Sequence, residues 1–121
     1  MKPLIAVIDD SESVREFFEL SLKDAGIELR CFASAEESRD FLAAHHPDLV
    51  FIDIIMPKVD GLTFLREINR LGGDRRPKVV VMSSKDYVQD RSVAEELGAA
   101  AFLTKPMTTQ SIRELVAAHT G

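Results

Sequence analysis

Cysteine occurs once, as Cys31, in a chain of 121 residues. A lone thiol excludes a disulfide framework and a thiolate metal site, and it reads as core packing. Long apolar runs are missing too: no stretch approaches the ~18 apolar residues that would cross a membrane. Met1-Lys2-Pro3-Leu4 reaches Asp9-Asp10 too early for a secretory signal. Basic charge is outweighed, with 15 Lys and Arg against 20 Asp and Glu and a formal net charge of −5. That balance argues against direct nucleic-acid binding, which needs a basic patch. Repeats, low-complexity tracts and linkers are absent. The polar stretch from Gly72 to Pro77 reads as a loop, and the tail His119-Thr120-Gly121 is expected to fray. These absences leave a single domain over residues 1–121, with one core and a reducing, cytoplasmic setting expected.

What is present is a series of apolar runs separated by helical patterns. Leu4–Ile8, Leu49–Asp53, Val79–Met82 and Ala100–Leu103 are short and continuous, whereas Ile27–Phe32 alternates like an edge strand. Val14, Phe17, Phe18, Leu22 and Ala25 recur at three and four, with Ser13 and Glu16 as a capping box and Gly26 as a stop. Ser34 and Glu37 form a second capping box, opening a helix that Pro47 closes. Gly61–Leu71 predicts a helix with Leu62, Leu65 and Ile68 inward. The next, Tyr87–Leu97, has a thin apolar stripe of Val93, Ala94 and Leu97, with Val88, Arg91 and Glu95 near its outer edge; Ser111–Ala118 is the last. Strict strand–helix alternation predicts an α/β fold: a doubly wound, flavodoxin-like sheet of five parallel strands in the order 2-1-3-4-5, with five helices.

In that order all strand C-termini open on one face. Asp9-Asp10 follow strand one, Asp53 ends strand three, Ser83-Ser84 follow strand four, and Thr104-Lys105-Pro106 follow strand five. Strands one and three are neighbours, so three carboxylates meet at the switch point, where α/β sheets bind ligands. Close anions repel. A hard divalent cation is their natural partner, and Mg²⁺ held by one or two carboxylates, water and phosphate oxygens suits them. With Lys105 as a fixed ammonium and Ser83 as a hydroxyl donor, the set fits phosphoryl transfer. Asp53 is the nucleophile, because it projects alone from a central apolar strand and carboxylates form aspartyl phosphates.

Each residue also has a plainer reading. Asp9, Asp10 or Ser11 could cap the first helix, Ser83 or Ser84 could cap the fourth, and Lys105 could be a solvated surface lysine. His45-His46 end a helix and Arg75-Arg76 form a solvated loop pair. The plain readings would all have to hold together on one face.

The same residues resemble the receiver domain of two-component response regulators along essentially the whole chain. Leu49-Val50-Phe51-Ile52-Asp53-Ile54-Ile55-Met56-Pro57-Lys58-Val59-Asp60-Gly61 is similar to that family's phosphoacceptor strand and its Met-Pro…Asp-Gly loop. Asp9-Asp10 matches its acidic pair, Ser83 its switch hydroxyl, and Lys105-Pro106 its terminal Lys-Pro. The intervals of 30 from Asp53 to Ser83 and 22 from Ser83 to Lys105 suit the match. The resemblance implies a signalling domain rather than an enzyme, one that promotes only its own phosphorylation and dephosphorylation. A histidine kinase or histidine phosphotransfer protein would donate the phosphoryl group to Asp53. Asp10, Asp53 and the backbone carbonyl of Ile55, with Asp9 through water, would hold Mg²⁺ or Mn²⁺. Lys105 would pair with the phosphoryl oxygens, Ser83 would turn toward them, and Phe102 would follow as the switch aromatic. Pro57, Gly61 and Pro106 would be structural near the site, with the Lys105-Pro106 bond cis. The signal would leave through a protein surface, to a downstream protein target or an output domain absent from these residues.

Some positions depart from the family pattern. Ala100-Ala101 stands where one DNA-binding subclass carries acidic residues used in dimer contacts, and Met107 replaces a frequent Phe. Dimerisation through the last two helices is therefore not expected. Ile55 and Lys85 flank the phosphoryl site and offer neither an amide nor an acid to orient water, which implies slow self-dephosphorylation. Two rivals stand beside the switch. A Mg²⁺-dependent aspartyl phosphohydrolase would want an acid where Ile55 stands, and an interaction module that is never phosphorylated would not need the intact acids.

Overall fold

A computed structural model describes residues 2–120. Strands β1 (Leu4–Ile8), β2 (Glu28–Phe32), β3 (Leu49–Asp53), β4 (Lys78–Ser83) and β5 (Ala101–Thr104) alternate with helices α1 (Glu12–Ser21), α2 (Ala35–His45), α3 (Gly61–Gly72), α4 (Val88–Glu96) and α5 (Thr109–Thr120). The strands form one parallel sheet in the order β2-β1-β3-β4-β5, as the alternation predicts. Among the described residues no helix is long and apolar enough to cross a membrane.

Residue parity assigns each side chain to a face of the sheet. Ala6, Ile8, Val50, Ile52, Val79 and Val81 point to the side covered by α2, α3 and α4, where Leu42, Phe64, Leu65, Ile68 and Ala94 meet them. Their neighbours Ile5, Val7, Leu49, Phe51, Val80 and Met82 point to the side covered by Phe18 and Leu22 of the α1 segment and by Ile112 and Val116 of α5. Phe18 and Phe51 pack with ring centroids 4.8 Å apart at 59°. Fully burying a side chain of this size contributes about 1.5–3 kcal/mol. The edge strands β2 and β5 are only partly covered, which is why β2 alternates in sequence.

Several boundaries differ from the sequence reading for local reasons. The cap of α1 is Ser11, whose Oγ accepts from Val14 N at 3.3 Å, and not the Ser13–Glu16 box. Ser11 N is itself held by Asp9 Oδ1 at 2.9 Å, so the chain turns into the helix there. In α2 the expected box forms with a shift: Ser34 Oγ accepts from Glu37 N, while Glu37 reaches back to Ala33 N. No serine caps α4; Tyr87 stands at its N-cap without a side-chain bond. Ser83 is the last residue of β4, paired with Thr104, and does not follow the strand. A 3-10 turn at Gly73–Arg75 occupies the stretch read as loop. His119 and Thr120, expected to fray, lie in or at the end of α5, and Thr120 Oγ1 donates to Val116 O. Gly121, also expected to fray, lies outside the described residues.

Candidate functional site

The register of the central strands places the acids. Ile8 pairs with Ile52, so the next residues along, Asp9 and Asp53, lie side by side at the C-terminal ends of β1 and β3. Parity turns Asp53 to the α1/α5 side, like Phe51. One oxygen from each of Asp9, Asp10 and Asp53 lies within 4.8 Å of the others. Asp9 is fully buried and Asp53 nearly so, whereas Asp10 is exposed at the rim.

Lys105 enters this cluster from the loop after β5. Its Nζ donates to Asp9 Oδ2 at 2.7 Å and lies 3.3 Å from Asp53 Oδ1, with the side chain only 18% exposed. Lys105 N donates to Ser83 O at 2.8 Å, which fixes its backbone beside β4. The Lys105-Pro106 peptide is cis, as the resemblance implies. Burial alone would lower the ammonium's pKa. The hydrogen bond and charge of Asp9, reinforced by Asp53, outweigh that and raise it. The Asp53 carboxyl is pushed up from 3.8 to about 6, first by burial and then by the charge of Asp9, with Lys105 opposing both.

Both oxygens of Asp9 are engaged, Oδ1 by Ser11 N and Oδ2 by Lys105. Its backbone carbonyl accepts from Arg15 Nη1 at 2.7 Å. Among the described residues Asp53 engages only Lys105, through Oδ1. The donor set is all carboxylate oxygen, which suits a hard divalent cation and not a thiolate- or imidazole-seeking metal.

Gly61 explains the loop between β3 and α3. A Cβ there would lie 2.2 Å from Asp53 O and 2.9 Å from Ile54 Cα, so only glycine lets α3 begin against the strand's end. Gly61 N donates to Ile54 O at 2.8 Å, and Asp60 caps α3 through Thr63 N at 2.9 Å. Pro57 lies exposed in the same loop, and the Ile55 side chain is 62% exposed.

Ser83 is buried beside the cluster, its Oγ accepting from Lys85 N at 3.1 Å. Phe102 is half-buried in β5, one strand over from Val81. Pro106 and Met107, with Val14 and Phe17 of α1, line an apolar groove next to Lys105. The structure thus brings Asp9, Asp10, Asp53, Ser83 and Lys105 to one end of the sheet, with Phe102 farther out on the edge. The sequence reading missed Arg15 and, while placing Arg91 near the outer edge where its side chain is 41% exposed, missed its contact with Phe102: the guanidinium carbon lies 4.6 Å from that ring's centroid. Cys31 is half-buried with its thiol pushed up to about 11, chiefly by burial, which disfavours the thiolate.

The family model of the response regulator receiver domain matches residues 5–117. Among similar solved structures is the chemotaxis protein CheY4 of Vibrio cholerae, 19% identical with a TM-score of 0.91, covering 98% of this chain and 99% of that one. A putative response regulator from Chloroflexus aurantiacus is 25% identical with a TM-score of 0.88, covering 98% and 97%. A response regulator protein from Burkholderia pseudomallei, solved with a phosphorylated aspartic acid, a calcium ion and citrate, is 23% identical with a TM-score of 0.85, covering 98% of this chain and 68% of that one.

Proposed function

The chain belongs to the response regulator receiver domain family of two-component signalling, and on that premise we propose that Asp53 is the residue that carries its phosphoryl group. Residues 1–121 would act as one receiver unit. The observation that carries the assignment is the unequal engagement of the two buried acids: among the described residues Asp9 has both oxygens bonded, while Asp53 meets Lys105 through Oδ1 and has no partner on Oδ2. With a pKa of about 6, Asp53 is mainly ionised at neutral pH.

The reaction is a displacement at phosphorus. Asp53 Oδ2 forms the new O–P bond as the N–P bond of a donor phosphohistidine breaks. The imidazole leaves with that electron pair and takes one proton from solvent. The donor would be a histidine kinase or a histidine phosphotransfer protein, the partners of this family. Asp9, Asp10 and Asp53, with the backbone carbonyl of Ile55, would hold Mg²⁺ or Mn²⁺, which when bound offsets the charge of the phosphoryl oxygens. Lys105 stays anchored on Asp9 and turns its remaining protons from Asp53 to the phosphoryl oxygens.

Ser83 is the hydroxyl that reads the adduct. At rest its Oγ accepts from Lys85 N, and on turning inward the hydroxyl would give up that contact and donate its proton to a phosphoryl oxygen. Phe102 would follow it, altering the surface of β5 and α4 that a downstream protein or output domain reads. A phosphohydrolase is disfavoured because Ile55, two residues beyond Asp53, presents an exposed hydrocarbon where a proton donor would stand. Ile55 and Lys85 likewise give an attacking water no amide or carboxylate to orient it, so the adduct is long-lived. A phosphoryl half-life of only seconds in the purified protein would contradict this.

The test is a small phosphodonor added with Mg²⁺, followed by NMR. Resonances of Ser83 and Phe102 shift in the wild type and stay fixed in Asp53→Asn. Unmoved resonances in the wild type would defeat the switch.

A further inference from the structure

The ring of Phe102 has two sides with different neighbours. Inward it packs with the cluster that contains Val81, Ala94 and Leu97. Over the ring lies the guanidinium of Arg91 from α4, its carbon 4.6 Å from the centroid. Arg91 Nε donates in turn to Asp86 Oδ1. Asp86 belongs to the loop after β4, three residues past Ser83, whose Oγ accepts from Lys85 N at 3.1 Å. One short loop thus ties the hydroxyl at the acid cluster to the carboxylate that orients the cation over Phe102.

We propose that Arg91 is a positioning residue that latches Phe102 in its resting rotamer, with Asp86 as the clamp that holds the guanidinium in place. The inference deepens the reading of Asp53 and Phe102 given above and rests on it. If Ser83 turns toward a phosphoryl group, Lys85 N loses its acceptor and the loop carrying Asp86 is released. Arg91 then loses its orienting partner, and Phe102 loses its cover.

The latch is weak by construction. The Arg91 and Asp86 side chains are 41% and 55% exposed, so water and salt screen their pair. An exposed cation over a ring adds a similar small increment. Together the contacts bias the resting state about five-fold, enough to tune a two-state element without locking it. By linkage, loosening the latch tightens any ligand that selects the switched state by the same factor. A simple charge effect has the opposite sign: deleting a cation weakens the binding of an anion.

The experiment measures the apparent affinity of the purified protein for beryllofluoride in Mg²⁺, with Phe102 ring resonances followed in parallel. Arg91→Gln is expected to bind about five-fold tighter and Asp86→Asn about two-fold tighter. The unliganded Phe102 resonances of Arg91→Gln should move part-way to their liganded positions. In a Phe102→Leu background, Arg91→Gln should produce no tightening. Normal wild-type binding with unchanged or weaker binding by Arg91→Gln overturns the latch and leaves the Asp53 assignment standing. Tightening that persists without Phe102 also overturns it, because Arg91 would then act by another route. Failure of the wild type to bind beryllofluoride at all removes the Asp53 reading and the latch with it.

Discussion

A carboxylate at the end of an apolar strand has to be balanced by its surroundings, and in Asp53 the balance is incomplete. Its pKa of about 6, against an ordinary 3.8, means that the folded protein holds more protons than the unfolded chain between those values. Stability from this group is therefore greatest below 3.8 and is lost as pH rises through about 6. Asp53→Asn lacks that slope and should be more stable at neutral pH by about 1–3 kcal/mol in metal-free buffer. Urea melts at pH 5 and pH 7.5 check this; equal slopes in both proteins would refute it. Lys105→Met should act the other way, leaving Asp9 and Asp53 without their nearby cation. Since Lys105 is partly exposed, the loss at neutral pH is about 2 kcal/mol, recovered in part on acidification, as the same melts would show. Asp53 was legible in the sequence because an acid inside an apolar run has few plain explanations. Arg15 and Arg91 were not, because a lone surface arginine looks solvated until the fold supplies what it touches.

Elements were legible by pattern, and their ends were not. The Ser13–Glu16 pair satisfies a capping spacing, but Asp9 Oδ1 takes Ser11 N and turns the chain two residues earlier. That bond crosses from the acid cluster into the helix start, so no local spacing reveals it. Ser34 was read correctly because its cap is purely local, and Ser34→Ala should destabilise the protein by about 1 kcal/mol in thermal melts. The loop after β3 depends on glycine more strictly. A methyl at Gly61 would overlap Asp53 O, so Gly61→Ala must push α3 off the strand end. We expect about 1–3 kcal/mol of destabilisation and altered resonances at Asp53 and Ile54; an unchanged spectrum would show that the contact relaxes freely.

Across the whole molecule, strand order followed from the strict alternation of strands and helices, and the switch point followed from strand order. The two-faced core is the same parity read on five strands. What the pattern could not show was how the charges share one another: that Lys105 lies closer to Asp9 than to Asp53, and that among the described residues both Asp9 oxygens are bonded while Asp53 is engaged through one. This asymmetry is the physical basis for choosing the acceptor. It is tested most directly by treating the protein with a small phosphodonor and Mg²⁺ and mapping the adduct by peptide mass after borohydride trapping. One phosphoryl group on Asp53, absent from Asp53→Asn, is the predicted result. An adduct on Asp9 or Asp10, or none on the wild type, would contradict it.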